Sequence, residues 1–116
     1  VGTVSVKTIV LDAFLKEKGE AGKPVKFLKI DIEGYEYPAL RGAVETLKHT
    51  EHVLTEFSPS IMKQIDENAA DYVRFMETLG FKPFEITKDG IAAARISDML
   101  AAPDAVYNIF WSRKSW

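Results

Sequence analysis

Val25 to Tyr37, VKFLKIDIEGYEY, is the stretch that decides the fold. It opens as an apolar run through Val25, Phe27, Leu28, Ile30 and Ile32. It then presents two acids, Asp31 and Glu33, meets Gly34, and passes into a helical pattern. A buried strand, a turn at its carboxyl end and a helix leading away is the unit from which α/β proteins build ligand sites. Apolar character on both sides of the run predicts a strand, Val25–Ile32, in the middle of a parallel sheet.

Outward from this stretch the pattern repeats. Tyr37, Leu40, Val44 and Leu47 recur at helical spacing, which predicts one helix from Tyr35 to about Lys48. Pro38 is tolerated only in its first turn, and Gly42 marks a bend. His52–Ser58 reads as the next strand, closed by Pro59, with a short helical turn over Ile61–Ile65. After Asn68 the stripe Ala69, Tyr72, Val73, Met76 and Leu79 predicts a helix that Gly80 stops. Phe81–Thr87 is a further strand, and Pro83 within it predicts an outermost position. Asp89-Gly90 marks a turn, Ile91–Ile96 reads equally as strand or helix, and Ser97 is the expected cap of a short helix through Met99 and Leu100. Val106–Ser112 is the last strand, placed antiparallel beside Phe81–Thr87. Upstream, Thr3–Lys7 alternates as a short strand, and Thr8 is the expected cap of a helix through Leu11, Phe14 and Leu15 that ends at Gly19. Trp111 reads as packing and Trp116 as a frayed end.

With 116 residues, 47% of them hydrophobic, the chain suits one domain with its own core. It contains no cysteine, which excludes disulfides, thiolate catalysis and cysteine zinc sites. A net charge of −2 gives no footprint for nucleic acid or anionic lipid. No apolar run is long enough to cross a bilayer and no secretory signal opens the chain, so the expectation is a cytoplasmic protein that acts on no membrane. Val1 is not an initiator methionine, and the chain is read as a processed piece or as part of something longer.

Thr8–Leu15 (T-x-x-L-D-x-F-L), Phe27–Glu36 (F-L-K-I-D-I-E-G-Y-E), Leu40–Ala43 (L-R-G-A) and Leu54–Phe57 (L-T-E-F) together resemble the FkbM-type methyltransferases. Leu79–Phe81 and the last strand with Asn108 also fit, and K-I-D-I-E-G-Y-E is the specific element. The resemblance implies a Rossmann-like class I methyltransferase sheet, α/β and mixed. Its last strand would be antiparallel and inserted between the fifth and sixth, and its cofactor would be S-adenosylmethionine. Residues 1–116 would be a single methyltransferase-like domain, mainly the C-terminal half of that sheet, without the N-terminal cofactor-binding strands. Gly2, Gly19, Gly22, Gly34, Gly42, Gly80 and Gly90 form no G-x-G, so the glycine-rich cofactor turn is absent from this chain.

Asp31 and Glu33 are two apart at a strand's end and share a side if the extended conformation persists, as does Lys29. Glu56 sits at the corresponding end of the neighbouring strand. Three carboxylates at that rim suit a general base that takes a proton from an acceptor hydroxyl, or a group that holds a hard cation. Structural readings stand beside these. Asp31 or Glu33 can cap the following helix. Gly34 can serve the turn's backbone, besides opening the rim to a ligand. Asp12 can favour a helix dipole instead of contacting adenine. His49 and His52 lack a third metal ligand.

In the resembling family, Asp31, Glu33 and Glu56 would be catalytic and Asp31 and Gly34 would meet the cofactor, in O-methyl transfer to a small-molecule acceptor. Two other functions are compatible with the residues. One is a non-catalytic α/β module that forms homo-oligomers through an exposed sheet edge. The other is a metal-dependent hydrolase using Asp31, Glu33 and Glu56, for which no phosphate-binding motif is present.

Overall fold

The computed structural model describes residues 2–115. Its elements are α1 (Leu11–Glu17), β1 (Val25–Ile30), α2 (Glu36–Arg41), α3 (Val44–Lys48), β2 (Thr50–Phe57), α4 (Pro59–Gln64), α5 (Ala69–Thr78), β3 (Lys82–Thr87), β4 (Gly90–Ala93), α6 (Ile96–Ala101) and β5 (Tyr107–Ser112). The strands form a single sheet in the order β1-β2-β5-β3-β4. Only β1 and β2 are parallel; β5 runs antiparallel to both β2 and β3. The last strand is thus inserted between two earlier ones, as the resemblance implies.

Several expectations change. Strand β1 is at the edge of the sheet, not its middle, and ends at Ile30. Phe27 is half exposed because the face it shares with Lys29 is largely uncovered. The outermost strand at the other edge is β4, not β3. Pro83 is accommodated because it precedes the β3–β4 ladder, which begins at Phe84, while its carbonyl accepts from the Ala94 N–H. Thr3–Lys7 forms no ladder, and Val4 and Val6 are exposed. Ser97 lies inside α6, whose N-cap is Arg95, and α1 starts from Val10 without a cap from Thr8. The ambiguous Ile91–Ile96 divides into the end of the β3–β4 hairpin and the start of α6. The frayed end expected at Trp116 lies outside the described residues.

The helix expected over Tyr35–Lys48 is two helices, α2 and α3, broken at Gly42 and Ala43. Asp12 explains how the second begins. Its carboxylate accepts from the Glu45 and Thr46 N–H groups, both at 2.9 Å, and from the Thr46 hydroxyl at 2.6 Å. Burial alone would raise its pKa, but these bonds and nearby Lys48 bring it below the usual value. An α3 of five residues cannot nucleate alone and takes its N-terminal cap from α1.

Helix α5 follows its sequence signals closely. Asn68 accepts from the Asp71 N–H at 3.0 Å. Gly80, at φ 94°, closes the helix with Phe81 N–H to Met76 carbonyl and Gly80 N–H to Glu77 carbonyl bonds. Its buried stripe of Tyr72, Val73 and Met76 lies in the core with Val53, Phe57, Ile109 and Trp111. Arg113 gathers three loose ends. Its guanidinium donates to the carbonyls of Thr50, Leu47 and Leu79 and stacks 4.2 Å from the Phe81 ring centroid.

Two core donors meet at one oxygen. The Tyr72 hydroxyl and the Trp111 indole N–H both donate to Thr55 Oγ1, at 2.8 and 3.0 Å. Burial pushes the Tyr72 phenol well above its usual value, so it remains a donor. Replacing Thr55 by valine keeps the shape but leaves two buried donors unmet. Thr55→Val should cost about 2–4 kcal/mol in urea unfolding, while Thr55→Ser should cost less than about 1.5. Equal losses for both would show that packing, not the shared acceptor, matters at this site.

Candidate active site

The turn after β1 departs from strand geometry at once. Glu33 has φ 56° and Gly34 has φ 102°, so two successive residues lie in the left-handed region. Alternation therefore does not carry past Ile30, and Glu33 does not share Asp31's place. A side chain at Gly34 would also collide with Ile61, whose Cγ2 lies 2.4 Å from an ideal Cβ. For a glutamate at positive φ the cost is of order 1 kcal/mol, so something must hold this turn.

Glu36, the first residue of α2, does so. Its Oε2 accepts from the Ile32 N–H at 2.7 Å and its Oε1 from the Gly34 N–H at 2.9 Å. The helix cap expected of Asp31 or Glu33 is not formed, since α2 starts from Tyr35 without a side-chain cap; Glu36, 2% exposed, instead holds the turn before it. Asp31 is left free of that duty at the carboxyl end of β1.

Strand β2 completes the group. Parallel pairing sets Lys29 opposite Leu54 and Ile30 opposite Thr55, so Glu56 lies one step further along beside the turn. On its other side Glu56 faces Asn108 of β5. Carboxylate oxygens of Asp31, Glu36 and Glu56 all lie within 4.8 Å of one another. Asp31 and Glu56 border a cleft of about 240 Å³, whose lining also includes Lys29, Ile30, Leu54, Thr55 and Asn108. A second hollow of about 470 Å³ runs along the open edge of β1, between Ile9 and Leu11 on one side and Ala39 and Ala43 on the other. Lys29 and Asp31 line both.

Three like charges this close cannot all be comfortable. Glu56 is pushed above the usual carboxylate value, first by burial, then by the charges of Asp31, Glu36 and Glu33, and by a hydrogen bond to Asp31. A carboxyl whose proton affinity is raised beside a second carboxyl is suited to proton transfer.

The other residues singled out from sequence are elsewhere. Gly34 has its N–H bound to Glu36 and its Cα against Ile61, which accounts for it structurally. Glu33 is exposed and outside the close group. Asp12 is committed to α3. His49 caps the end of α3, while His52 Nδ1 lies 3.0 Å from the Ser112 hydroxyl and its ring stacks on Phe110. Tyr37 packs face to face with Tyr72 at 5.3 Å and lies under Arg41. The residue the sequence reading missed is Glu36. Its signal was present: an acid in the first helical turn, just after a glycine turn, is placed to reach back to free N–H groups.

A parallel strand pair flanked by an inserted antiparallel last strand is an α/β arrangement consistent with a methyltransferase-like fold. The family model of the methyltransferase FkbM domain matches residues 1–83, and the chain belongs to that family. The match takes in α1 through the start of β3, including Asp31, Glu36 and Glu56; β4, α6 and β5 follow it. Comparison with curated proteins and with solved structures finds no match to either. No helix among the described residues is long and apolar enough to cross a membrane.

The raised value at Glu56 gives a signed prediction. The folded chain binds this proton more tightly than the unfolded chain does. Its contribution to stability is therefore full below the ordinary value of 4.5 and is lost as pH rises through the raised value. Glu56→Gln removes that loss. The variant should melt above the parent at pH 8, and the gap should shrink towards pH 4. A gap independent of pH in thermal melts would contradict the perturbed titration.

Proposed function

We propose that this chain serves S-adenosylmethionine-dependent methyl transfer to an oxygen of a small-molecule acceptor, with Asp31 at the reaction rim and Glu56 as its supporting acid. The observation that carries the reading is the convergence of Asp31 and Glu56 at the carboxyl ends of β1 and β2, in a member of a methyltransferase family. Ligands of α/β sheets bind at such strand ends.

The donor set suits the methyl end of the cofactor. When bound, that cofactor supplies an electrophilic methyl group on a positively charged sulfur, and carboxylates are fitting neighbours for such a cation. Gly34 offers no cradle, because its N–H is taken and its Cα is closed against Ile61. The ribose and carboxylate ends would therefore find their partners elsewhere than at this turn. Lys29, Asp31 and Ile30 would face the cofactor side, and Glu56 and Asn108 the acceptor side of the cleft.

The chain's own residues have a defined task. As the methyl–sulfur bond of the cofactor would give way to a bond to the acceptor oxygen, with S-adenosylhomocysteine leaving, the proton of the acceptor's O–H would pass to the Asp31–Glu56 pair. Position within hydrogen-bond reach is the first requirement for that transfer, and a raised proton affinity at Glu56 is the second. Glu33 adds negative charge at longer range. The nearly balanced net charge supports a small acceptor over a nucleic acid.

Calorimetry with S-adenosylmethionine and with S-adenosylhomocysteine, on the protein carrying every residue its gene encodes, tests the cofactor. Heat of binding from both is expected; none at millimolar ligand overturns the reading. Asp31→Asn should then reduce methyl transfer by about 10²–10⁴-fold with cofactor affinity largely kept. An unchanged rate would remove Asp31 from the chemistry.

The open edge of β1 favours a second reading, in which two copies of the chain pair through it. Its outer backbone groups have no strand partner among the described residues, and Phe27 and Ile32 are exposed beside it. Unpaired edges of this kind template strand addition. Light scattering behind size exclusion should give the mass of two chains, and Phe27→Lys should return one. A single-chain mass at all concentrations contradicts the pairing.

A further inference from the structure

Glu36 is almost wholly buried, yet none of the ion pairs among the described residues includes it. Carboxylates reach such burial only when their oxygens are satisfied. Here both oxygens accept backbone N–H bonds, from Ile32 and Gly34. Both bonds fall within the turn that carries Asp31, and the same carboxylate reaches within 4.8 Å of Asp31 and Glu56.

We propose that Glu36 is the positioning residue of this rim: its clamp on Ile32 and Gly34 fixes the turn that presents Asp31, and its fixed negative charge acts on the Asp31–Glu56 pair. The first half follows from the backbone. Glu33 and Gly34 sit in the left-handed region, and without an acceptor the Ile32 and Gly34 N–H groups would be unmet beside the closed Ile61 contact. The second half follows from the groups that face Glu56. From the β1 turn these are Asp31 and Glu33, and from α2 Glu36. On the strands Lys29 of β1 and Asn108 of β5 share its cleft. Glu36 is the acid among them that is tied by hydrogen bonds to the main chain, so its charge does not swing away when a ligand enters. A fixed charge is the more effective kind at a reacting centre, since it needs no reorganisation. The catalytic meaning of this role rests on the methyl-transfer reading, whereas the placement itself does not.

Carbon-detected NMR titration of the Glu56 carboxyl tests it, in the parent, in Glu36→Gln and in Glu33→Gln. Removing the fixed charge should lower the Glu56 midpoint by about half a unit or more, with a smaller shift for the exposed Glu33. An unchanged midpoint in Glu36→Gln, or a larger shift from Glu33→Gln, overturns the proposal. Amide exchange in the parent reads the clamp without any variant. The Ile32 and Gly34 amides should exchange at least tenfold more slowly than that of Glu33, and equally fast exchange overturns the clamp even if Glu36→Gln fails to fold. Neither measurement needs cofactor or acceptor. A failed cofactor titration leaves the role standing, and a failed Glu56 titration leaves cofactor binding untouched.

Discussion

The hydroxyl oxygen of Thr55 is the point on which the rest of the structure turns. It receives the Tyr72 hydroxyl from α5 and the Trp111 indole from β5, inside a core where neither donor has water to fall back on. A one-residue slip of β5 along β2 would send Trp111 to the opposite face and orphan its indole N–H. The register is thereby pinned, and that register sets Asn108 opposite Glu56. The polar centre of the core and the acidic rim of the sheet are successive residues of one strand, the first facing the helices and the second the open side.

The rim is held by a different device. Its turn relies on a buried acid that satisfies its N–H groups, and on a glycine that lets the backbone approach Ile61. The result is a rigid base beneath Asp31 and a neighbouring Glu56 whose proton affinity is raised by burial and by like charge. Structural and chemical roles are divided among acids that the sequence shows only as neighbours. Glu36 closes the turn, Asp31 borders the cleft, and Glu33 is exposed.

Much of this was legible in the residues. The α5 stripe, its Asn68 cap and its Gly80 stop follow local rules that tertiary context did not override. The strand-turn-helix at Val25–Tyr37, and the nearness of Asp31 to Glu56, follow from strand order and parallel pairing. Three things were hidden. Gly42 signals a bend, but the start of a separate α3 is capped by Asp12 reaching across from α1, a contact separated by more than thirty residues that no periodicity reports. The β4 edge depends on a four-residue hairpin strand too short to alternate convincingly. The exchange of Glu36 for Glu33 in the carboxylate group depends on a positive φ at Glu33, which an alternation argument assumes away. Period-two reasoning holds only while the chain stays extended, and here it stops at Ile30.

The central claim is that the carboxyl ends of β1 and β2 form the ligand-facing rim of a methyltransferase sheet. Backbone amide shifts on addition of S-adenosylmethionine test it most directly, on the protein with every residue its gene encodes. The account predicts that, among the residues described here, the largest changes fall on Lys29–Gly34 and Thr55–Phe57, with Asn108 affected across the cleft and the β3–β4 hairpin silent. Changes centred on the hairpin, or none at the Asp31 turn with cofactor bound, would contradict it.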